Sequence, residues 1–346
     1  MFHDLTLQDV RRETEDAVVL VFDASEPAFT WKPGQYLTLR AEVGGRDIRR
    51  SYSIASLPDE PLCVGVKRVE GGAFSSFAQA LDVGAQIQVM PPEGRFVDPG
   101  YERLILIAAG SGITPMVSIA GAALARGAEV TLVYGNRRSD TIMFRETLET
   151  LKDRNLNKFT LIHILSREAQ DVPLLHGHID GDKLSRLAQA GAIDLAGADG
   201  VFLCGPSQMI DGVQETLLKL GVDQDHIHHE RFFVEGAPVP TRPSLPAEGG
   251  VANGVELDII LDGVRKQLRV EESDATVLDA AERQGVELPY SCRAGMCCTC
   301  RCRVAEGSAE MAVNYSLESW EAEAGFILAC QTRPTSEKLV LDFDDV

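Results

Sequence analysis

The stretch SCRAGMCCTCRC, residues 291–302, constrains the chain more than any other part of it. Within it Cys292, Cys297 and Cys300 have four and then two residues between them, and Cys330 follows after a long gap. That is C-x4-C-x2-C…C, the ligand spacing of a plant-type [2Fe–2S] centre. Two sulfide-bridged irons need four converging thiolates, and a short loop such as Arg293-Ala294-Gly295-Met296 lets three of them approach while its backbone wraps the cluster. Zinc sites usually show two short pairs of the C-x2-C kind, and only one is present here; a disulfide pair is the other alternative. Cys298 and Cys302, inside and beside the loop, are expected to pack next to the cluster as small apolar side chains.

A chain of 346 residues, 45% hydrophobic and 25% charged, has material for two or three cores. Its net charge of −19 argues against nucleic acid and against anionic membrane surfaces, both of which need clustered Lys and Arg. The N-terminus MFHDLTLQDV has neither a basic start nor an apolar run, so no secretory signal is expected. Without one, eight cysteines point to a reducing cytoplasm in which thiols serve metals. The apolar window from Leu104 to Ala125 is broken by Gly110, Gly112 and Pro115, which suits a strand, a tight turn and a helix rather than a membrane span.

From Leu5 to Met90, short β-rich runs (VVLVFDA, QYLTLRAEV, RRSYSIAS, PLCVGVKRV) alternate with turns, which predicts an antiparallel β-barrel over residues 1–98. From Leu104 the rhythm changes. Apolar strands Leu104–Ala109, Val130–Tyr134, Phe159–Leu165 and Val201–Leu203 alternate with helical stretches, the pattern of an α/β domain with a parallel sheet over residues 99–235. Residues 236–254, GAPVPTRPSLPAEGGVANG, keep no apolar period and read as a proline- and glycine-rich linker. A third, acidic domain over 255–346 begins with strands Val255–Leu261 and Lys266–Val270 and a helix from Ala275 to Gln284, followed by the cysteine loop.

Three further motifs carry chemistry. Arg50-Ser51-Tyr52-Ser53 ends a basic strand and is followed by Val66-Lys67-Arg68 and then Gly71-Gly72-Ala73-Phe74-Ser75-Ser76. A glycine turn opening a helix presents free N–H groups suited to a pyrophosphate, although such a pair also marks ordinary hairpin turns. Gly110-Ser111-Gly112-Ile113-Thr114-Pro115 follows an apolar strand and precedes a helix, and departs from the dinucleotide fingerprint G-x-G-x-x-G by Pro115 at its last position. Cys204-Gly205-Pro206 ends a later strand, where ligands of open α/β sheets bind. His226, His228, His229 and Glu230 look like metal ligands, but on a strand His228 and His229 face opposite sides, which speaks against a shared ion.

Together these residues resemble the ferredoxin–NADP reductase superfamily, in the group of oxygenase reductases that carry a ferredoxin domain at the C-terminus. The resemblance covers nearly the whole chain. It implies a β-barrel FAD domain, an α/β NAD(P) domain and a β-grasp [2Fe–2S] domain. For FAD it implies Arg50 on the pyrophosphate, Tyr52 packed on the isoalloxazine, Ser53 near flavin N5, the Val66-Lys67 strand, the Gly72 and Ser75 turn, and Glu230 and Phe232 from the E-x-F ending. For the nucleotide it implies Gly110, Gly112, Thr114 and Pro115, with Cys204, Gly205 and Pro206 beside the nicotinamide. Ser53, Cys204 and Glu230 are the expected catalytic residues, and the four cysteines named above the expected cluster ligands. The stretches AAGSGITPM, LVYGNRRSDTIMFR, LLHGHIDGDKL, NYSLE and AGFILACQ are most similar to the branch that serves phenylacetyl-CoA epoxidases. Cys298 departs from that branch and is open as a competing ligand.

The expected route runs from nicotinamide to flavin to cluster to an oxygenase component, because a hydride carries two electrons and a [2Fe–2S] centre takes one. Arg137, Ser166 and Arg167 follow strand ends where a 2′-phosphate would sit, so NADPH is expected over NADH. Two alternatives stand beside this reading. One is a reductase of a steroid or aromatic-ring hydroxylase; the other is a redox-sensing or metal-binding protein without turnover.

Overall fold

The computed structural model describes residues 2–232 and 254–345. The chain divides into two compact units, Met1–Phe232 and Phe233–Val346. Apart from Gly254, the expected linker lies outside the described residues. Among the described residues no helix is long and apolar enough to cross a membrane.

The first unit opens with β1 (His3–Thr14), β2 (Ala17–Phe22), β3 (Tyr36–Val43), β4 (Arg46–Ser53), β5 (Cys63–Lys67), the short helix α1 (Ala73–Ala78) and β6 (Gln86–Val89). They form one antiparallel sheet in the order β4-β3-β6-β1-β2-β5, and an isolated bridge between Ile54 and Val64 joins its two edges. β1 turns the corner: His3–Thr6 pair with β6, and the rest, through two register shifts, pairs with β2. Bulges of this kind increase local twist and let one strand serve two neighbours. Every residue of β2 is buried. Leu20, Phe22, Leu37, Leu39, Ile54, Val66 and Phe74 fill the interior.

The same unit continues with β7 (Arg103–Ala109), α2 (Ile113–Ala125), β8 (Glu129–Asn136), α3 (Arg145–Arg154), β9 (Phe159–Leu165), α4 (Gly181–Gln189), β10 (Gly200–Gly205), α5 (Ser207–Lys219) and β11 (Ile227–Arg231). The sheet is parallel throughout, ordered β11-β10-β7-β8-β9. α2 and α3 contribute to the core on one face, and α4 and α5 to the core on the other. Chain order reverses between β7 and β10, so their carboxyl ends frame the crevice in which such sheets bind ligands.

The second unit contains β12 (Val255–Leu261), β13 (Val264–Val270), α6 (Val277–Arg283), β14 (Arg301–Glu306), β15 (Ala309–Met311), α7 (Ser319–Glu323), β16 (Phe326–Leu328), β17 (Thr332–Pro334) and β18 (Lys338–Asp342). Its main sheet has the order β13-β12-β18-β14-β16, with β12 and β18 parallel and the other pairs antiparallel. α6 lays Val277, Leu278, Ala280 and Ala281 on this sheet, and Thr276 caps it by accepting from the Asp279 N–H. The cysteine loop fills the gap between α6 and β14.

Candidate functional site

The crevice is built where barrel and parallel sheet meet within the first unit. Ser53, the last residue of β4, is buried, and its hydroxyl donates to Oε2 of Glu230 at 3.0 Å. Glu230 sits on β11 directly opposite Cys204 of β10. Three residues expected at the hydride site are thus brought together by one hydrogen bond and one ladder pair. Burial raises the Glu230 carboxyl to about 7, while the Ser53 hydroxyl works the other way by stabilising the ionised form. Burial also lifts the Cys204 thiol well above its ordinary value, with the Glu230 charge adding to the effect, so this sulfur stays protonated. Its side chain is fully buried.

Along β4, Tyr52 is partly accessible and its ring lies 5.7 Å from that of Phe74, tilted by 36°. Arg50 donates to the Arg49 carbonyl at 2.8 Å and is partly exposed. A half-open aromatic face beside a cation on the same strand fits a flavin and its charged tail. Val66 is fully buried, and its carbonyl accepts from the Gln79 side chain at 3.0 Å. Lys67 approaches Asp16 at 3.5 Å. The Ser75 hydroxyl accepts the Val69 N–H at 3.1 Å and donates to the Gly72 carbonyl at 3.3 Å. Its role within the chain is to close the turn that Gly71, at φ 74°, begins. Phe232 packs partly buried against the core of the parallel sheet.

The glycine-rich turn at the end of β7 is a single 3-10 turn, Gly110–Gly112, running directly into α2. Gly112 is dictated by approach: a Cβ there would lie 2.1 Å from the Cys204 carbonyl oxygen, so only glycine lets the turn rest on β10. Thr114 is buried and donates to the Ser111 carbonyl at 3.0 Å. Pro115 lies in the first turn of α2, where no N–H is required of it. Gly205 and Pro206 connect β10 to α5.

The carboxyl ends of β8 and β9 bring Arg137 and Arg167 side by side, the Arg167 N–H donating to the Arg137 carbonyl at 2.8 Å and the Ser166 N–H to the Asn136 carbonyl at 3.0 Å. Both arginine side chains are exposed. Neighbouring charges are already engaged: Arg138 with Asp140 at 3.0 Å, and Glu168 with the N–H and hydroxyl of Ser139, each at 2.9 Å.

In the second unit Cys292, Cys300 and Cys330 are buried and Cys297 is partly exposed, all as free thiols. They approach in two pairs, Cys292 with Cys297 and Cys300 with Cys330, and in each pair the accepting thiol is more easily ionised because its partner keeps the proton. The Ala294 N–H points at the Cys292 sulfur (3.3 Å) and the Cys292 N–H at the Cys297 sulfur (3.4 Å). Two thiol pairs with N–H groups aimed at sulfur fit a two-iron centre, two ligands to each metal. Cys298 adopts a left-handed backbone (φ 58°), and its thiol donates to the Ser316 hydroxyl at 3.0 Å. Cys302 is fully buried in the domain core. The apparent metal cluster at β11 is an aromatic contact instead: His228 Nε2 meets the Tyr101 hydroxyl at 3.0 Å and its ring stacks on Phe202 with centroids 4.6 Å apart.

Sequence reasoning missed several supporting residues. Arg293, at φ 53°, ties the cysteine loop to α6 through Asp279 (3.2 Å) and Glu282, with the Tyr290 ring beneath its guanidinium. Gln331 is buried and donates to the Arg293 carbonyl at 2.9 Å and towards the Cys330 sulfur at 3.5 Å. The Ser316 hydroxyl and the Tyr315 N–H both donate to the Gly295 carbonyl, which makes NYSLE an outer clip on the loop. Arg293 and Gln331 were signalled only by their places next to Cys292 and Cys330, and Tyr315 and Ser316 only by the NYSLE stretch.

Comparison with known proteins agrees with this geometry. Residues 4–97 match the oxidoreductase FAD-binding domain, residues 106–215 the oxidoreductase NAD-binding domain, and residues 259–335 the 2Fe-2S iron-sulfur cluster binding domain. The chain is 41% identical to one of the subunits of the 1,2-phenylacetyl-CoA epoxidase of Escherichia coli (strain K12), over 99% of this chain and 98% of that one. It is 33% identical to the ferredoxin reductase component of the 3-ketosteroid-9-alpha-monooxygenase of Rhodococcus rhodochrous, over 98% and 96% of the two chains. The fold is that of phthalate dioxygenase reductase, with a TM-score of 0.58 at 22% identity over 99% and 98% of the chains. The chain therefore belongs to the family of three-module reductase components of multicomponent monooxygenases, electron-transfer oxidoreductases that join FAD-, NAD- and [2Fe–2S]-binding domains in one polypeptide.

Proposed function

We propose that this reductase draws its electrons from NADPH and delivers them to the oxygenase component of a phenylacetyl-CoA epoxidase, a di-iron monooxygenase. We further propose residues 1–98 as the flavin domain, 99–235 as the nucleotide domain and 255–346 as the cluster domain. The observation that carries the reading is the meeting of Ser53, Glu230 and Cys204 at the carboxyl end of β10. One residue from the barrel and two from the parallel sheet converge there, as transfer between a nicotinamide and a flavin requires.

When bound, FAD accepts a hydride's two electrons and releases them singly, and a [2Fe–2S] centre carries one electron at a time. The chain's residues do the rest. Arg50 and the Gly72–Ser75 turn hold the flavin's charged tail, and Tyr52 packs against its rings. Ser53 and Glu230 supply a hydrogen-bonded pair at the reacting edge, and the protonated, buried Cys204 closes that side to water. Gly110, Gly112, Thr114 and Pro115 shape the nucleotide turn. Cys292, Cys297, Cys300 and Cys330 ligate the cluster, and Arg293 and Gln331 steady their loop.

The arginine pair supports NADPH: Arg137 and Arg167 stand ready for a 2′-phosphate, whereas Glu168, which could accept from a free ribose hydroxyl, is held by Ser139. The partner follows from the 41% identity to an epoxidase component over almost the full length of both chains. Anaerobic titration with NADPH, with and without the oxygenase proteins of a phenylacetyl-CoA epoxidase, tests the whole reading. Flavin and cluster bands should bleach in both cases, and epoxide should form on admitting oxygen only when the oxygenase is present. Bleaching without epoxide, alongside turnover with a steroid oxygenase, would overturn the choice of partner.

A further inference from the structure

Tyr134 is a fully buried residue near the end of β8, in register with Ala108 of β7 and His163 of β9. A buried phenol costs free energy unless its hydroxyl is partnered, so a purely apolar role would be met better by Phe. Two loops supply partners. The hydroxyl donates to the Gly110 carbonyl at 3.0 Å, and the phenol oxygen in turn meets the Asn136 side chain and the Met143 N–H. Burial pushes the phenol's pKa upward, so it remains a donor at any working pH.

Both loops matter for the site. Gly110 is left-handed at φ 56°, and a Cβ on it would meet nothing within 4 Å, so crowding does not impose that conformation. Its carbonyl accepts two hydrogen bonds, one from the Ile113 N–H that closes the turn and one from the Tyr134 hydroxyl, which ties the turn to β8. On the other side Phe144 is also left-handed, at φ 57°, a conformation that bulky residues rarely adopt. Its N–H donates to Oε1 of Glu13 on β1 at 2.6 Å. Its ring occupies space left by Gly65 of β5, where a Cβ would come within 3.0 Å of Phe144 Cε2. A single phenol oxygen therefore joins the glycine turn to the segment on which the barrel seats.

We propose that Tyr134 is a positioning residue for the pyridine nucleotide, its hydroxyl holding the Gly110–Gly112 turn in the conformation that binds the nucleotide and registering that turn on the barrel. This rests on the reading of Gly110–Pro115 as the nucleotide site. The test is steady-state and stopped-flow kinetics of Tyr134→Phe in the full-length, FAD- and cluster-loaded protein, with Gly110→Ala and Ser111→Asp beside it. Tyr134→Phe should raise the KM for NADPH roughly five-fold, the worth of one ordinary hydrogen bond. The rate of flavin reduction at saturating NADPH and the FAD and iron content should stay as in the wild type. Gly110→Ala, which adds a Cβ to the nucleotide turn itself, should raise KM in any case and gives the scale of a damaged turn. Should Tyr134→Phe fail to fold, Tyr134→Leu, which also removes the hydroxyl, decides by the same split between KM and kcat.

Ser111→Asp places a negative charge on the turn and tests the underlying reading: it should raise KM steeply. If it does and Tyr134→Phe leaves KM unchanged, the positioning role is wrong. A Tyr134→Phe variant slowed equally at saturating NADPH would also overturn it, because the hydroxyl would then act beyond the turn. If Ser111→Asp changes nothing, the nucleotide reading of the turn fails, and the proposal with it.

Discussion

Ser53 and Glu230 are 177 positions apart in the chain, yet the hydroxyl of the first donates to the carboxylate of the second at 3.0 Å. The bond spans the barrel and the parallel sheet, so neither domain alone completes it. Ser53→Ala should slow flavin reduction by NADPH at least about tenfold, the scale of a lost hydrogen bond to a charged partner, while FAD remains bound. Stopped-flow absorbance reads the rate, and an unchanged rate removes Ser53 from the hydride site.

The same carboxylate shapes stability against pH. Burial lifts both Glu230 and Glu93 from the ordinary 4.5 to about 7. Between these values the folded protein holds protons that the unfolded chain has released, so unfolding free energy falls as pH rises from about 4.5 through 7. The expected loss is on the order of 1 kcal/mol per group once partial exposure is discounted. Denaturant midpoints at pH 5 and pH 8 should differ accordingly, and by less in Glu230→Gln; a flat profile in the wild type contradicts the burial argument.

Replacing Cys330 by Ser should abolish the red-shifted visible absorption and bound iron while NADPH still reduces the flavin. Cys298→Ser should keep both, since that thiol is directed to Ser316 rather than to the pairs. Iron and sulfide analysis of the two purified variants separates ligand from neighbour, and cluster loss in Cys298→Ser would reassign it as a ligand.

Arg137→Ala and Arg167→Ala should each lower kcat/KM for NADPH by roughly tenfold or more, as loss of a charge-assisted phosphate contact would, and leave NADH almost unaffected. Equal effects on the two nucleotides would show that the pair does not read the 2′-phosphate.

Acidic residues outnumber basic ones about two to one over residues 254–345. Docking of this unit on a basic partner surface should weaken as salt screens it. Single-turnover delivery to the oxygenase, measured from 50 mM to 500 mM salt, roughly a threefold drop in Debye length, should therefore slow. A rate indifferent to salt leaves shape and apolar contact as the docking forces.

Much of this was legible because the informative segments follow simple periods. β9 and β12 occupy the residues expected from apolar runs, and the helix expected at 275–284 appears as Val277–Arg283, stopped by Gly285 at φ 73°. β1 was not legible: HDLTLQDVRRET puts only Leu5 and Leu7 fully inward and is polar elsewhere, since it borders two strands across a bulge. The strand period alone spoke against a metal at the histidines of β11, but only the fold shows that Tyr101 and Phe202 supply the partners of His228. Ser75 was legible as a small polar residue in a glycine turn, but its commitment to Val69 needed the fold. Arg293, Gln331 and Tyr134 were invisible for the same reason: each depends on partners that only tertiary structure brings near.

The position of Cys330 has a consequence for biogenesis. Three of the four thiols lie in one loop, but the fourth follows β16, which takes its place only by pairing with β14. A nascent chain that has not yet closed this sheet offers an incoming cluster three anchors and no fourth. With the four thiols as ligands, cluster loading should lag behind closure of this sheet, and visible absorption followed during refolding with iron and sulfide should appear after the far-ultraviolet signal of the folded domain.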